Sequence, residues 1–210
     1  TTTANITAAT LTVNGITSNN KTYDGLASAT SLLNTGSASL SGVIGADVVT
    51  LVTGSATGTF PDKNVGTGRI VTIAGLTLTG TDAGNYSLTQ PTTTASITAK
   101  GLTVSGVTAN DKTYDRTVTA TPNFGSSTLV GKVGSDDVTL VTAGGTAAFA
   151  DKTVANGKTV TISGLRIVDG SGTDSGGTTN GGGIHNAGTL TLTAVEVAGS
   201  SVTGQGGGVY

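Results

Sequence analysis

Apolar and polar positions alternate along this chain in short bursts. Leu11-Thr12-Val13, Val49-Thr50-Leu51-Val52, Ile70-Val71-Thr72-Ile73, Leu76-Thr77-Leu78-Thr79 and Tyr86-Ser87-Leu88 are the clearest. A period of two sends successive side chains to opposite faces of a strand, so aliphatic groups line an inner face and Thr or Ser an outer one. Glycines separate the bursts at turn positions, and no stretch carries the 3.6-residue period of a helix. The pattern predicts an all-β chain of short, half-buried antiparallel strands packed as small sandwich-like domains.

The bursts recur. Leu11-Thr12-Val13-Asn14-Gly15 returns as Leu102-Thr103-Val104-Ser105-Gly106, and Lys21-Thr22-Tyr23-Asp24 returns as Lys112-Thr113-Tyr114-Asp115, an offset of 91 residues. Asp47 to Thr53 matches Asp136 to Thr142, Phe60-Pro61-Asp62-Lys63 matches Phe149-Ala150-Asp151-Lys152, and Val71 to Leu76 matches Val160 to Leu165, now at an offset of 89. A loop between the two sets is therefore two residues shorter in the second copy, as surface loops tolerate. A period near 90 exceeds the 20–50 residues of solenoid coils and suits a self-contained small domain. The lead-in repeats as well: Thr3-Ala4-Asn5-Ile6-Thr7-Ala8 parallels Thr94-Ala95-Ser96-Ile97-Thr98-Ala99. Residues 1–9 thus read as the end strand of a preceding module, 10–99 as the first repeat, 100–168 as a truncated second repeat, and 169–210 as a separate Gly-rich segment. An orphan strand near Ile6 beside an incomplete second repeat also suggests head-to-tail exchange between chains.

Composition narrows the class. Among 210 residues there are 34 Gly and no Cys, Met or Trp; 35% are hydrophobic, 10% charged, and the net charge is −2. Disorder requires low hydrophobicity with high net charge, which this is not. Without Cys, stability must come from sheet packing and repetition. The ten Lys and Arg are scattered singly, against nucleic acid as a partner. No apolar run approaches the roughly 18 residues of a membrane span. With no initiator Met and no signal-peptide pattern, the chain reads as a mature or excised piece of a secreted protein.

The motifs Lys21-Thr22-Tyr23-Asp24-Gly25 and Gly80-Thr81-Asp82-Ala83-Gly84-Asn85-Tyr86 resemble the YDG repeat, a family found in tandem arrays in very large bacterial adhesins and filamentous-haemagglutinin-like exoproteins. The resemblance covers residues 10–168. It implies an extracellular location at the bacterial cell surface and a repetitive stalk or fibre role, with no catalytic residues. Lys21, Tyr23, Asp24, Gly25, Asp82, Asn85, Tyr86, Lys112, Tyr114 and Asp115 are its structural motif positions. The second copy departs twice. Arg116 stands where the first has Gly25, and the Asp-Ala-Gly-Asn-Tyr block has no counterpart after Ile167. If Gly25 holds a positive-φ turn, Arg116 must either bear a cost of about 1 kcal/mol or adopt another turn.

From Asp169 the character changes. Gly181-Gly182-Gly183-Ile184-His185-Asn186 is echoed 25 residues later by Gly206-Gly207-Gly208-Val209-Tyr210. This is similar to the Gly-Gly-Gly-Ile-Xaa-Asn repeats of polymorphic outer-membrane proteins, and it implies the start of a parallel β-helix, with Gly at close-packed corners.

Candidate chemistry is thin. His185 is the single His, and with no second His or Cys it reads as an exposed or stacking residue rather than a metal ligand. Asp136 and Asp137 are adjacent, so on a strand they face opposite ways and cannot form a glycosidase pair. Asp47, Asp62, Asp82 and Asp151 recur beside Gly, Asn or Lys, as in Asx-turns. Calcium held by such turn carboxylates is the one cofactor left open, although no EF-hand spacing is present. No Gly-Lys-Ser/Thr follows the Gly runs, which excludes a phosphate loop. The expectation is a non-enzymatic segment whose partners are neighbouring repeats, identical subunits, or host and cell-surface ligands. A carbohydrate- or ligand-binding surface module, with or without calcium, is the alternative, and an aromatic content of 3% weakens sugar stacking as its mechanism.

Overall fold

The computed structural model describes residues 1–169, together with the backbone of residues 195–196. The described residues are all-β apart from two single 3-10 turns, Thr30–Leu32 and Ala83–Asn85. The chain divides into two compact units, Thr1–Thr98 and Ala99–Tyr210.

Unit 1 begins with β1 (Ala9–Asn14), β2 (Thr17–Ser18), β3 (Lys21–Thr22), β4 (Leu33–Asn34) and β5 (Ser39–Ser41). It continues with β6 (Thr50–Val52), β7 (Thr57–Thr59), β8 (Gly66–Ala74), β9 (Thr77–Thr79), β10 (Tyr86–Leu88) and β11 (Thr92–Thr98). The largest sheet runs in the order β3-β11-β8-β7, and a second in the order β10-β1-β5. Most pairs are antiparallel, as the alternation predicts. Two are not: β1 pairs with β10 and β3 with β11 in parallel. Parallel partners need a long crossover, and here most of the unit lies between the two strands of each pair. The N- and C-terminal strands of the repeat thereby lie side by side, which a hairpin-by-hairpin reading does not anticipate.

Unit 2 follows with β12 (Thr103–Ser105), β13 (Thr108–Ala109), β14 (Thr119–Ala120), β15 (Pro122–Asn123) and β16 (Thr128–Val130). Then come β17 (Val138–Val141), β18 (Thr146–Phe149), β19 (Val160–Ser163), β20 (Arg166–Asp169) and β21 (Val195–Glu196). The pairings repeat those of unit 1: β13 with β15 as β2 with β4, β12 with β16 as β1 with β5, and β17 with β20 as β6 with β9. The two-residue deletion has a definite place. Three residues, forming the 3-10 turn Thr30–Leu32, separate Ala29 from Leu33, whereas Thr121 alone separates Ala120 from Pro122. The register survives because Asn110 N donates to Thr121 O as Asn19 N donates to Leu32 O.

Gly15 and Gly106 show why the Val-Xaa-Gly block repeats. Both have φ near +80°, and a Cβ on either would collide with a backbone carbonyl, that of Ser37 or of Ser126. Unit 1 buries two apolar clusters. One contains Ala29, Phe60, Val71, Ala95 and Ile97; the other contains Val13, Ile16, Ile73 and Leu76. Among its described residues unit 2 has one, of Val104, Ala120, Ala147, Ile162 and Leu165. Its packing is rearranged in a paired way. A Cβ on Gly58 would press on the Leu33 side chain, and unit 2 carries Ala147 at the Gly58 position and Pro122 at the Leu33 position.

Apart from the backbone of residues 195–196, where β21 lies parallel to β19, the Gly-rich segment and its β-helix reading lie outside the described residues, as does His185.

Candidate functional site

The Lys-Thr-Tyr-Asp motif folds into a turn with the lysine at its centre. Lys21 leaves β3 and its Nζ donates to Asp24 Oδ1 at 2.8 Å, to the Leu26 carbonyl at 2.6 Å and to the Ser28 carbonyl at 3.1 Å. The Asp24 carboxylate also accepts the Leu26 amide at 2.9 Å, forming an Asx-turn. The ammonium lies 5.8 Å from the centroid of the Phe60 ring, and its side chain is only 8% exposed. Three acceptors and an aromatic face satisfy a nearly buried cation, which would otherwise be costly. Partial burial raises the Asp24 pKa, but the Lys21 bond, the Leu26 amide and the Lys21 charge outweigh it, and the net shift is downward.

The second copy rebuilds this turn. Lys112 Nζ reaches Asp115 Oδ1 at 2.7 Å and the Thr117 carbonyl and hydroxyl, each at 2.9 Å, and it lies 5.7 Å from the Phe149 centroid. Lys112 and the amide and hydroxyl of Thr117 together pull the Asp115 pKa down to about 2. Arg116 keeps the turn: its φ is +71°, against +80° at Gly25. Of the two outcomes open to Arg116, the strained left-handed one is realised.

Asp82, Asn85 and Tyr86 form a different closure in unit 1. Tyr86 OH donates to Asp47 Oδ2 at 2.6 Å and accepts the Ile44 amide at 2.9 Å. Asp82 Oδ2 accepts the Val48 amide at 2.8 Å. Asn85 contributes through its backbone, donating to Asp82 O across the 3-10 turn. The bond to Asp47, more than burial, raises the Tyr86 pKa. These residues clamp the loop 44–48 onto the sheet edge. Unit 2 keeps the underlying turn, with Asp136 N donating to Val133 O as Asp47 N donates to Ile44 O.

One recurring pair escaped the sequence reading. Asp62 Oδ1 accepts the Asn64 amide at 2.7 Å and pairs with Arg69 at 2.7 Å; Asp151 likewise accepts the Thr153 amide at 2.8 Å and pairs with Lys158. The Asn64 amide and then Arg69 lower the Asp62 pKa, while Lys158 and then Thr153 lower that of Asp151. The signal was available, because a basic residue follows each of these Asp residues by seven positions. Lys63, which the sequence places beside Asp62, instead stands 5.8 Å from the Tyr23 ring centroid. Among the described residues, no three His, Cys, Asp or Glu side chains gather to hold a metal ion, and no helix is long and apolar enough to cross a membrane.

The YDG domain family matches the chain twice, over residues 7–95 and 98–180. No curated protein and no solved structure matches it. The second match runs past Asp169, where Gly172-Thr173-Asp174-Ser175-Gly176 repeats the spacing of Gly80-Thr81-Asp82-Ala83-Gly84. The second copy therefore does hold a remnant of that block, but with Gly177 and Thr178 in place of Asn85 and Tyr86. Matched over most of its length, and carrying the lysine-centred turn in both copies, the chain belongs to the YDG domain family.

Proposed function

We propose that this chain is a non-enzymatic structural segment: spacer modules in the stalk or fibre of a secreted bacterial surface protein. The observation that supports the reading is how the charges are used. Lys21, Lys112 and Lys158, with Arg69, each close a turn of their own module by pairing with Asp24, Asp115, Asp151 and Asp62. Each pair joins residues three or seven apart in the sequence, so it holds a local loop; Lys112, Asp151 and Lys158 line one groove of unit 2, but each is spent on its own turn. A module that satisfies its own charges and repeats is suited to setting distance. The same proposal includes the finer architecture, two small sandwiches leading into a parallel β-helix-like segment over 169–210, and a location outside the cell.

Small-angle scattering at dilute, monomeric concentration tests the spacer reading. The expected profile is that of two modules in a row; a profile fitting one compact sphere overturns it.

A further inference from the structure

Unit 1 carries its first and last strands side by side and pointing the same way. Ala9, Thr10 and Leu11 of β1 stand opposite Tyr86, Ser87 and Leu88 of β10, and Lys21 and Thr22 of β3 stand opposite Ile97 and Thr98 of β11. Both pairings are parallel, and between them the register slips by a single residue. Residues 9–22 and 86–98 are therefore two long segments running together from one pole of the unit to the other. The chain enters the unit at Ala9, at one pole, and leaves it at Thr98, at the opposite pole.

Neither segment is left on an edge. β1 lies between β10 and β5, and β11 between β3 and β8. Each is also rooted in the core, through Leu11, which is fully buried, and Ile97, which is 1% exposed. The gaps between the strand pieces are bonded across as well. The Thr89 amide donates to the Leu11 carbonyl at 3.0 Å, the Ser96 amide to Asn20 Oδ1 at 2.7 Å, and the Tyr23 amide to the Thr98 carbonyl at 2.7 Å. Where the second segment passes from β10 to β11, the Gln90 side chain accepts the Leu76 amide at 3.1 Å and donates to the Leu76 carbonyl at 2.9 Å.

Direction decides what such a pair withstands. A pull along the chain draws β1 toward one pole and β11 toward the other, parallel to the strands themselves. Every rung between the two segments is then strained at once, and they must fail together, with Leu11 and Ile97 torn from the core in the same event. A hairpin pulled apart at its open end instead yields one rung at a time. Resistance to force is set by the barrier to unfolding rather than by equilibrium stability, so the order in which rungs break governs it. We propose that unit 1 is a tension-bearing clamp, its parallel segments 9–22 and 86–98 loaded in shear by a pull along the chain. Setting distance asks for no such strength, so the clamp goes beyond the spacer reading.

The chain has no Cys, so introduced cysteines fix where force enters. In optical tweezers, DNA handles on a Thr7→Cys, Ala99→Cys chain load unit 1 along its strands. Handles on a Thr7→Cys, Gly84→Cys chain pull at two points of the same pole and peel β1 from β10 rung by rung. Gly84 lies two residues before β10, is exposed, and has open space where a Cβ would stand. At one loading rate the end-to-end rupture force is expected to be about twofold or more the peeling force. Asn20→Ala removes a rung far from where peeling begins, so it should lower the end-to-end force and leave the peeling force unchanged. Equal forces in the two directions overturn the clamp, as does an Asn20→Ala chain that holds as firmly end to end as its parent or weakens alike in both. None of these outcomes touches the spacer reading, which scattering from the unloaded monomer decides.

Discussion

Lys21-Thr22-Tyr23-Asp24 and Lys112-Thr113-Tyr114-Asp115 are the same four residues, yet Lys21–Thr22 is a strand and Lys112–Thr113 is not. The same contrast holds on the other flank of β11, where β8 extends over nine residues and its counterpart β19 over four. Both differences trace to β11. A two-residue segment has no strand propensity to speak of; it becomes a strand when a neighbour offers backbone groups in register. Unit 1 has that neighbour, and unit 2 lacks its equivalent among the described residues. The lysine turn itself forms in both, because its bonds are local and ask nothing of β11.

The largest effect should come from removing what β11 contributes. Ile97 is 1% exposed, and Ile97→Ala should destabilise unit 1 by about 3–4 kcal/mol through lost burial and a residual cavity. Ile6→Ala should cost close to nothing in the dilute chain. Urea denaturation followed by circular dichroism separates the two, and equal losses would break the equivalence drawn between burial and strand position. Next comes the lysine hub. Lys21→Ala removes three hydrogen bonds from a nearly buried cation and should cost about 2–3 kcal/mol, whereas Lys112→Ala, at 26% side-chain exposure, should cost about 1 kcal/mol. If the Lys112 variant is the more damaging, the turn in unit 2 is holding more than its own loop.

Much of this was legible in the residues. Alternation of Thr with Leu, Ile and Val gave the strands, and the 91- and 89-residue offsets gave the two copies and bracketed the deletion between Asp24 and Asp47, without placing it at the 3-10 turn. The parallel pairings were not legible, because a period of two says which face a residue occupies and nothing about which strand lies beside it. Nor were the partners of the motif. Lys21 and Asp24 are three residues apart and could be paired on paper, but Phe60 beneath the ammonium and Asp47 opposite Tyr86 are brought there only by the sheet. Arg69 and Lys158 were missed because each is separated from its Asp by a loop, with a nearer Lys standing beside that Asp as a decoy.

A smaller effect isolates the backbone of the turn. Arg116 holds a left-handed φ that Gly25 adopts freely. Arg116→Gly should stabilise unit 2 by about 0.5–1 kcal/mol, the relief of left-handed strain being partly offset by the greater freedom of Gly in the unfolded chain. Thermal melting would show it as a small rise; a fall would mean that the Arg116 side chain makes a compensating contact.

The smallest effect is one of acidity, and its sign follows from the turn. Asp115 titrates at about 2 in the folded chain against an ordinary value of 3.8. A lowered folded pKa means that the unfolded chain binds the proton first, so the stability from this carboxylate is complete above about pH 5 and fades as pH falls through 4 toward 2. Asp115→Asn should therefore flatten the acid limb of unit 2 stability while changing its neutral-pH slope little. In unit 1, Asp24 is lowered too, but its first influence is partial burial, which works in the opposite direction. Asp24→Asn should flatten the acid limb less than Asp115→Asn does. Melting curves of the two variants and the wild-type chain between pH 2 and 7 decide the matter. A larger change for Asp24→Asn would show that the half-buried turn, rather than the open one, draws more from its charge.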